Sequence, residues 1–172
     1  MAKNKNNQPI WDSRIKNNRS SLFQKVGSSI NIDRRLFKED IQGSIAHVEM
    51  LFKQKIINFK IKNKIIWGLN RIQNEIIKKK FEFNPKYEDI HMSIEKRLFE
   101  IVGEDAGFIH TARSRNDQVI TDFKLWLRKA TDQIITNLNS SIKIIINIAD
   151  KNIYSVMPGF THLKNAQPIS FA

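Results

Sequence analysis

The chain has 172 residues, 41% of them hydrophobic, a formal charge of +12 and no cysteine. That length supports one domain with an ordinary core, while the missing cysteines exclude disulfides, thiolate metal sites and thiol redox chemistry and fit a reducing compartment, the cytoplasm. The 29 basic residues are dispersed along the chain rather than gathered in a stripe, which argues against a nucleic-acid footprint, and no run of about 18 apolar residues offers a membrane span.

Residues 1–10 are polar, lack the apolar run of a secretory signal and read as a disordered tail. From Lys38 to Gln54, apolar residues at Ile41, Ile45, Val48 and Phe52 recur at helical spacing. Asn58 is placed to cap a second helix that buries Ile61, Ile65, Leu69, Ile72 and Ile76. The basic run Lys78-Lys79-Lys80 falls where that helix should end, next to the negative end of its dipole. Asp89 is placed to cap a third helix carrying Ile90, Ile94, Leu98 and Ile101, which Gly103 closes in the left-handed conformation.

Ser114 and Asp117 form a capping-box pattern at the start of the next element. From Asp117 to Met157 neither Gly nor Pro occurs, and an apolar stripe runs from Phe123 through Leu138 to Ala149. The spacing predicts one helix of about 35 residues, roughly 50 Å long, weakest at Asn137–Ser141 where Asn and Ser compete for backbone bonds. The fold class expected is therefore all-α. The other helices are too short to cover that stripe. Pro168 reads as the first turn of a further helix with only four residues after it, so the chain is expected to be part of a longer protein.

Two runs carry chemistry. His110-Thr111-Ala112-Arg113-Ser114-Arg115-Asn116-Asp117-Gln118 sets guanidinium, hydroxyl and amide groups around a helix N-terminus, a receptor for anions such as carboxylates; spacing alone equally allows a plain helix cap with surface ion pairs. Met157 through Pro168 brings a hydroxyl, Thr161, and an imidazole, His162, to a turn. An imidazole suits general acid or base work, although a histidine beside a turn is more often structural.

These runs, with Ser28 through Leu36, Gly43-Ser44-Ile45-Ala46-His47 and Glu88-Asp89-Ile90-His91-Met92, resemble argininosuccinate lyases of the aspartase and fumarase superfamily in order and spacing, a pattern shared by lens delta-crystallins. The resemblance implies an N-terminal helical domain over residues 11–113 and the first part of a central helical bundle over 114–172. It implies a carbon–nitrogen lyase of arginine biosynthesis that splits argininosuccinate into arginine and fumarate, with no cofactor or metal. Ser29, Asn116 and Thr161 would contact substrate, Arg115 and Gln118 would line the site, and His162 would take part in proton transfer. Asp89 and His91 match a further pair near the site, with a helix cap and a solvated first-turn residue as the plain alternative. His47 matches a family position too, but its place on an amphipathic helix favours packing.

The chain departs from the family at Trp11–Ile15, where glycines are expected, and at Lys164-Asn165, to which no binding role is assigned. The family's catalytic serine loop is absent from this sequence, so the chain alone is expected to be inactive. Asn116 opens the long helix and His162 lies past its end, beyond the reach of the roughly twelve residues that return from Asp150. The two motifs are thus expected to meet in composite sites between subunits, as in the homotetramer that the resemblance implies. The competing readings are a non-catalytic helical remnant, a crystallin-like structural protein, and an adenylosuccinate lyase or fumarase relative.

Overall fold

The computed structural model describes residues 26–84 and 87–172; the expected tail at 1–10 and the departure at Trp11–Ile15 lie outside the described residues. The chain divides into two compact units, one up to Trp126 and one from Leu127 onward.

In the first unit, a helical turn, α1 (Ile30–Asp33), runs through a 3-10 turn (Arg34–Leu36) into α2 (Phe37–Lys53). Ile41 and Val48 of the predicted stripe are buried, with Ile45 and Phe52 packed at the margin. Helix α3 (Phe59–Ile77) opens on Asn58, whose side-chain oxygen accepts from the Ile61 amide at 2.9 Å. It ends at the basic run, with Lys79 at φ 55°. Helix α4 (Ile90–Val102) opens on Asp89, which accepts from the Met92 amide at 2.6 Å. Gly103 stops it at φ 73° and ψ −147°; this is not the left-handed helical conformation expected but a positive-φ extended one that glycine alone enters readily.

Ile65, Leu69 and Ile72 of α3 meet Ile90, Ile94 and Leu98 of α4 in one buried cluster, each fully buried side chain contributing about 1.5–3 kcal/mol. Gly68 makes this contact close, since a Cβ there would lie 2.6 Å from Leu98 Cδ1 and 2.9 Å from Val102 Cγ1. A 3-10 segment (Gly103–His110) then adds Ala106 and Ile109 to the core.

Helix α5 (Arg115–Lys151) is continuous over 37 residues, as its periodicity predicts. The stretch Asn137–Ser141 stays helical, its serines turning their hydroxyls back onto the carbonyls of Thr136 and Asn137. Of the predicted capping box only the Ser114 half forms: its hydroxyl accepts from the Asn116 amide at 3.2 Å.

The second unit holds the later part of α5 and an antiparallel hairpin, β1 (Val156–Thr161) and β2 (Lys164–Ser170). The helix start expected at Pro168 is thus corrected to a strand, while the all-α fold class stands, the described residues being mostly helical with this one small sheet. Pro158 and Pro168 face each other across the ladder; a two-stranded sheet consists of edges, where a residue without an N–H is tolerated. The register slips between Pro158 and Phe160, so that β2 carries one extra residue. Gly159 permits this, because a Cβ would sit 2.8 Å from the Gln167 carbonyl oxygen. On α5, Ile134, Leu138, Ile142 and Ile145 remain exposed.

Candidate active site

Helices α2, α4 and the start of α5 bring most of the predicted site residues into the first unit. On α2, Asp40, Gly43, Ser44 and His47 share one face by their spacing of three and four. Each meets something from beyond its own helix. Ser44 Oγ accepts from Arg113 Nη2 at 3.3 Å, and His47 Nε2 lies 3.0 Å from the Thr111 carbonyl oxygen. A Cβ at Gly43 would lie 3.2 Å from Asp122 Oδ1, so the glycine lets an acid of α5 approach the helix. His47 is half-buried, as its amphipathic position suggested. Its pKa is lowered by burial and by the charge of Arg113.

At the centre lie Asp40, His91 and Asp122, each about 1% exposed. His91 Nδ1 is 3.1 Å from Asp40 Oδ1 and 3.3 Å from Asp122 Oδ2, within ion-pair distance but off the line of a good hydrogen bond, so that this nitrogen, the facing Asp122 Oδ2 and the outer Asp40 Oδ2 stay unsatisfied. The plain alternative for His91, a solvated residue of a first turn, is therefore corrected: the second residue of α4 turns inward and is buried.

Burial opposes charge on Asp40, yet the adjacent imidazole and the Gln118 amide outweigh it and hold this carboxyl below its ordinary range. The same pairing outweighs burial at His91 and raises its pKa. Asp122 takes the opposite course, with burial and then the charge of Asp40 pushing it up to about 8. The pairing thus favours the charged forms of Asp40 and His91, while burial favours the protonated form of Asp122. These three offer ligand atoms within 4.8 Å of one another. The cluster nevertheless suits a cation poorly, because His91 and Arg113 already bring positive charge and the Gln118 amide occupies an Asp40 oxygen.

The predicted anion motif grows from this cluster. Gln118, buried, donates its amide to Asp40 Oδ1 and accepts from Arg115 Nη1 at 2.7 Å. Arg115 Nη2 reaches Glu95 Oε2 at 2.8 Å, and His110 Nδ1 stands 3.1 Å from Glu95 Oε1. Asn116 is exposed at the first turn of α5. Arg113 is half-buried with its Nε unpartnered among the described residues, and burial lowers its pKa.

At the N-terminus of α4, Ser29 donates to Asp33 Oδ2 at 2.5 Å, and Asp33 Oδ1 accepts from the Ile90 amide beside the Asp89 cap. Burial raises the Asp33 pKa despite the Ser29 hydrogen bond. Contacts therefore run from Ser29 through Asp33 to the head of α4, and from His91 through Asp40 to Gln118 and Arg115. Thr161 and His162 stand apart from these in sequence, in the second unit, where they are exposed at the hairpin turn. His162 and Leu163 have φ 48° and 61°, the positive values that a type I′ turn requires.

A protein-family profile described as "Lyase" matches residues 13–172. The chain belongs to this lyase family. Argininosuccinate lyase of Pelagibacter ubique is 70% identical over 172 residues, all of this chain and 37% of that protein. The argininosuccinate lyase of Ehrlichia chaffeensis is 49% identical over 94% of this chain and 34% of its own length. Among solved structures, an EDDS lyase variant with bound fumarate matches with a TM-score of 0.62 at 25% identity, over 90% of this chain and 31% of that one. The lyase chain thus spans about a third of the length of these relatives.

Asp40, Glu95 and Asp122 escaped the sequence reading, although a signal was present. Asp40 stands four residues before Ser44 and seven before His47, Glu95 four after His91, and Asp122 four after Gln118, so each lies one or two helical turns from a residue already singled out.

Proposed function

We propose that this chain supplies the N-terminal part of an argininosuccinate lyase, which eliminates fumarate from argininosuccinate and releases arginine. The observation that carries the reading is the head of α5. Arg115 and Asn116 stand at the N-terminus of a 37-residue helix, with the Arg115 guanidinium oriented by Gln118 and Glu95. Such a place suits a carboxylate, because backbone N–H groups and a guanidinium converge on it. The name of the 70% identical relative supplies the substrate.

Elimination takes a proton from the carbon next to a carboxylate and builds negative charge on that carboxylate as the C–N bond breaks. Preorganised donors lower this barrier by binding the charge as it grows. Arg115 and Asn116 are the donors in this reading, with Ser29, Asp89, His91 and Gln118 completing the surroundings in the first unit. Thr161 contributes a hydroxyl and His162 moves a proton. No cofactor enters this chemistry. The protein works as a cytoplasmic homotetramer with composite sites, in which neighbouring subunits cover Ile134, Leu138, Ile142 and Ile145, all exposed here.

The test is fumarate absorbance after adding argininosuccinate to this chain alone, and to this chain joined to the part of the Pelagibacter ubique relative that the match does not cover. Fumarate from the joined protein and none from the chain alone is the expected result. A silent joined protein that is folded and oligomeric overturns the enzyme reading, and turnover by the chain alone overturns its dependence on the remainder.

A further inference from the structure

Helix α4 sends two side chains one turn apart toward the start of α5, His91 and Glu95. His91 belongs to the buried cluster. Glu95 is a different case, being a carboxylate with 14% of its side chain exposed and with both oxygens engaged by cationic or potentially cationic partners. Its Oε2 accepts from Arg115 Nη2 at 2.8 Å, and its Oε1 lies 3.1 Å from His110 Nδ1.

The hydrogen-bond polarities admit one arrangement. A guanidinium only donates and an ionised carboxylate only accepts. Between Arg115 and Asp40, Gln118 must therefore turn its oxygen to the first and its amide to the second, as it does. With Gln118 only 2% exposed, a flipped amide would face a donor with a donor and an acceptor with an acceptor in a place without water. Arg115 is thus held at Nη1 by a neutral oxygen and at Nη2 by Glu95, its charged anchor. Glu95 also offsets the repulsion between the neighbouring guanidiniums of Arg113 and Arg115.

We infer that Glu95 is a positioning residue: by clamping Arg115 and His110 with its two oxygens it aims the Arg115 guanidinium, and with it the Arg115–Gln118 pair, at the anion bound at the head of α5. The catalytic consequence rests on the lyase reading above, whereas the clamp itself can be tested without it.

In the 172-residue chain, Glu95→Gln removes one acceptor and the charge. The Arg115 side-chain N–H resonances should then shift and exchange faster with water, while those of Arg97, held by Glu75 and Glu100, stay in place. Unchanged Arg115 resonances overturn the clamp.

In the protein joined to the remainder of the Pelagibacter ubique relative, Glu95→Gln should lower kcat/KM about ten- to hundredfold, as expected for loss of a charge-assisted hydrogen bond. Glu95→Asp should recover part of that loss, and Glu100→Gln should have no effect. In an Arg115→Lys background the Glu95→Gln effect should shrink to about twofold or less, because coupled residues are non-additive. Equal losses in both backgrounds, or an unchanged kcat/KM, overturn the positioning role. Absence of fumarate from the unsubstituted joined protein counts against the lyase reading instead and leaves the resonance test to decide the clamp.

Discussion

Asp122→Asn isolates the proton held in the buried cluster. Asp122 lies 3.3 Å from His91 Nδ1 and beside Asp40, and burial followed by the Asp40 charge lifts its pKa from 3.8 to about 8. Between those values the folded chain keeps a proton that the unfolded chain has released. The folded state then binds more protons, so stability falls as pH rises, by about 1.4 kcal/mol per pH unit. Asparagine has nearly the same shape and no proton to lose, and its amide can donate to the unsatisfied Asp40 Oδ2. From about pH 6 to about pH 8 the wild-type chain should lose about 2 kcal/mol relative to Asp122→Asn, the slope flattening above the folded pKa. Urea unfolding followed by circular dichroism across this range measures the difference directly. Parallel stability curves for the two proteins, or a wild type that gains on the variant as pH rises, would show that Asp122 holds no proton in the folded state.

Substitutions at three further positions separate packing, capping and backbone strain. Gly68→Ala places a methyl 2.6 Å from Leu98 Cδ1; overpacking of about 1–3 kcal/mol outweighs the roughly 1 kcal/mol gained in helix propensity, so the urea midpoint should fall, and a rise would mean that Leu98 swings aside. Asp89→Asn keeps a side-chain oxygen for the Met92 amide and should change stability by less than about 0.5 kcal/mol, while Asp89→Ala loses about 1 kcal/mol. If Asp89 also serves substrate, the asparagine variant of the joined protein should make fumarate more slowly despite its intact cap. Leu163→Gly relieves a fully exposed side chain at φ 61° and should strengthen the hairpin by about 1 kcal/mol, read as slower amide exchange in β1 and β2.

The helices were legible because their signals are local. Asn58 and Asp89 cap as their positions announce, and the stripe through Ile65, Leu69 and Ile72 faces the core at its own period. The hairpin was not legible, since Pro168 reads as the first turn of a helix until its pairing with Pro158 across the ladder is known. In the candidate site, the motif singled out Arg115 and Gln118, which share a hydrogen bond. The acids around them were not, because Asp40, Glu95 and Asp122 take their meaning from partners on other elements, between 15 and 82 residues away in sequence. His91 shows the same limit: a histidine in a first turn looks solvated until α2 and α5 close over it.

His162 sits where local preference and observed sequence disagree. Both central residues of its turn have positive φ, a conformation that glycine or asparagine enters at low cost and that costs histidine or leucine roughly 1 kcal/mol apiece. Their exposure rules out compensation by packing within the second unit: Leu163 is 99% exposed and His162 is also open to solvent. The strain is therefore unrelieved by contacts among the described residues of this chain. A backbone held in a costly conformation for exposed side chains is explained when those side chains meet something outside the unit, as the proton-transfer role proposed for His162 requires. The prediction that separates this from an accident of turn choice is His162→Asn. It should stabilise the hairpin through a better turn residue while removing fumarate production from the joined protein, and retained activity in that variant would leave the strain without a functional account.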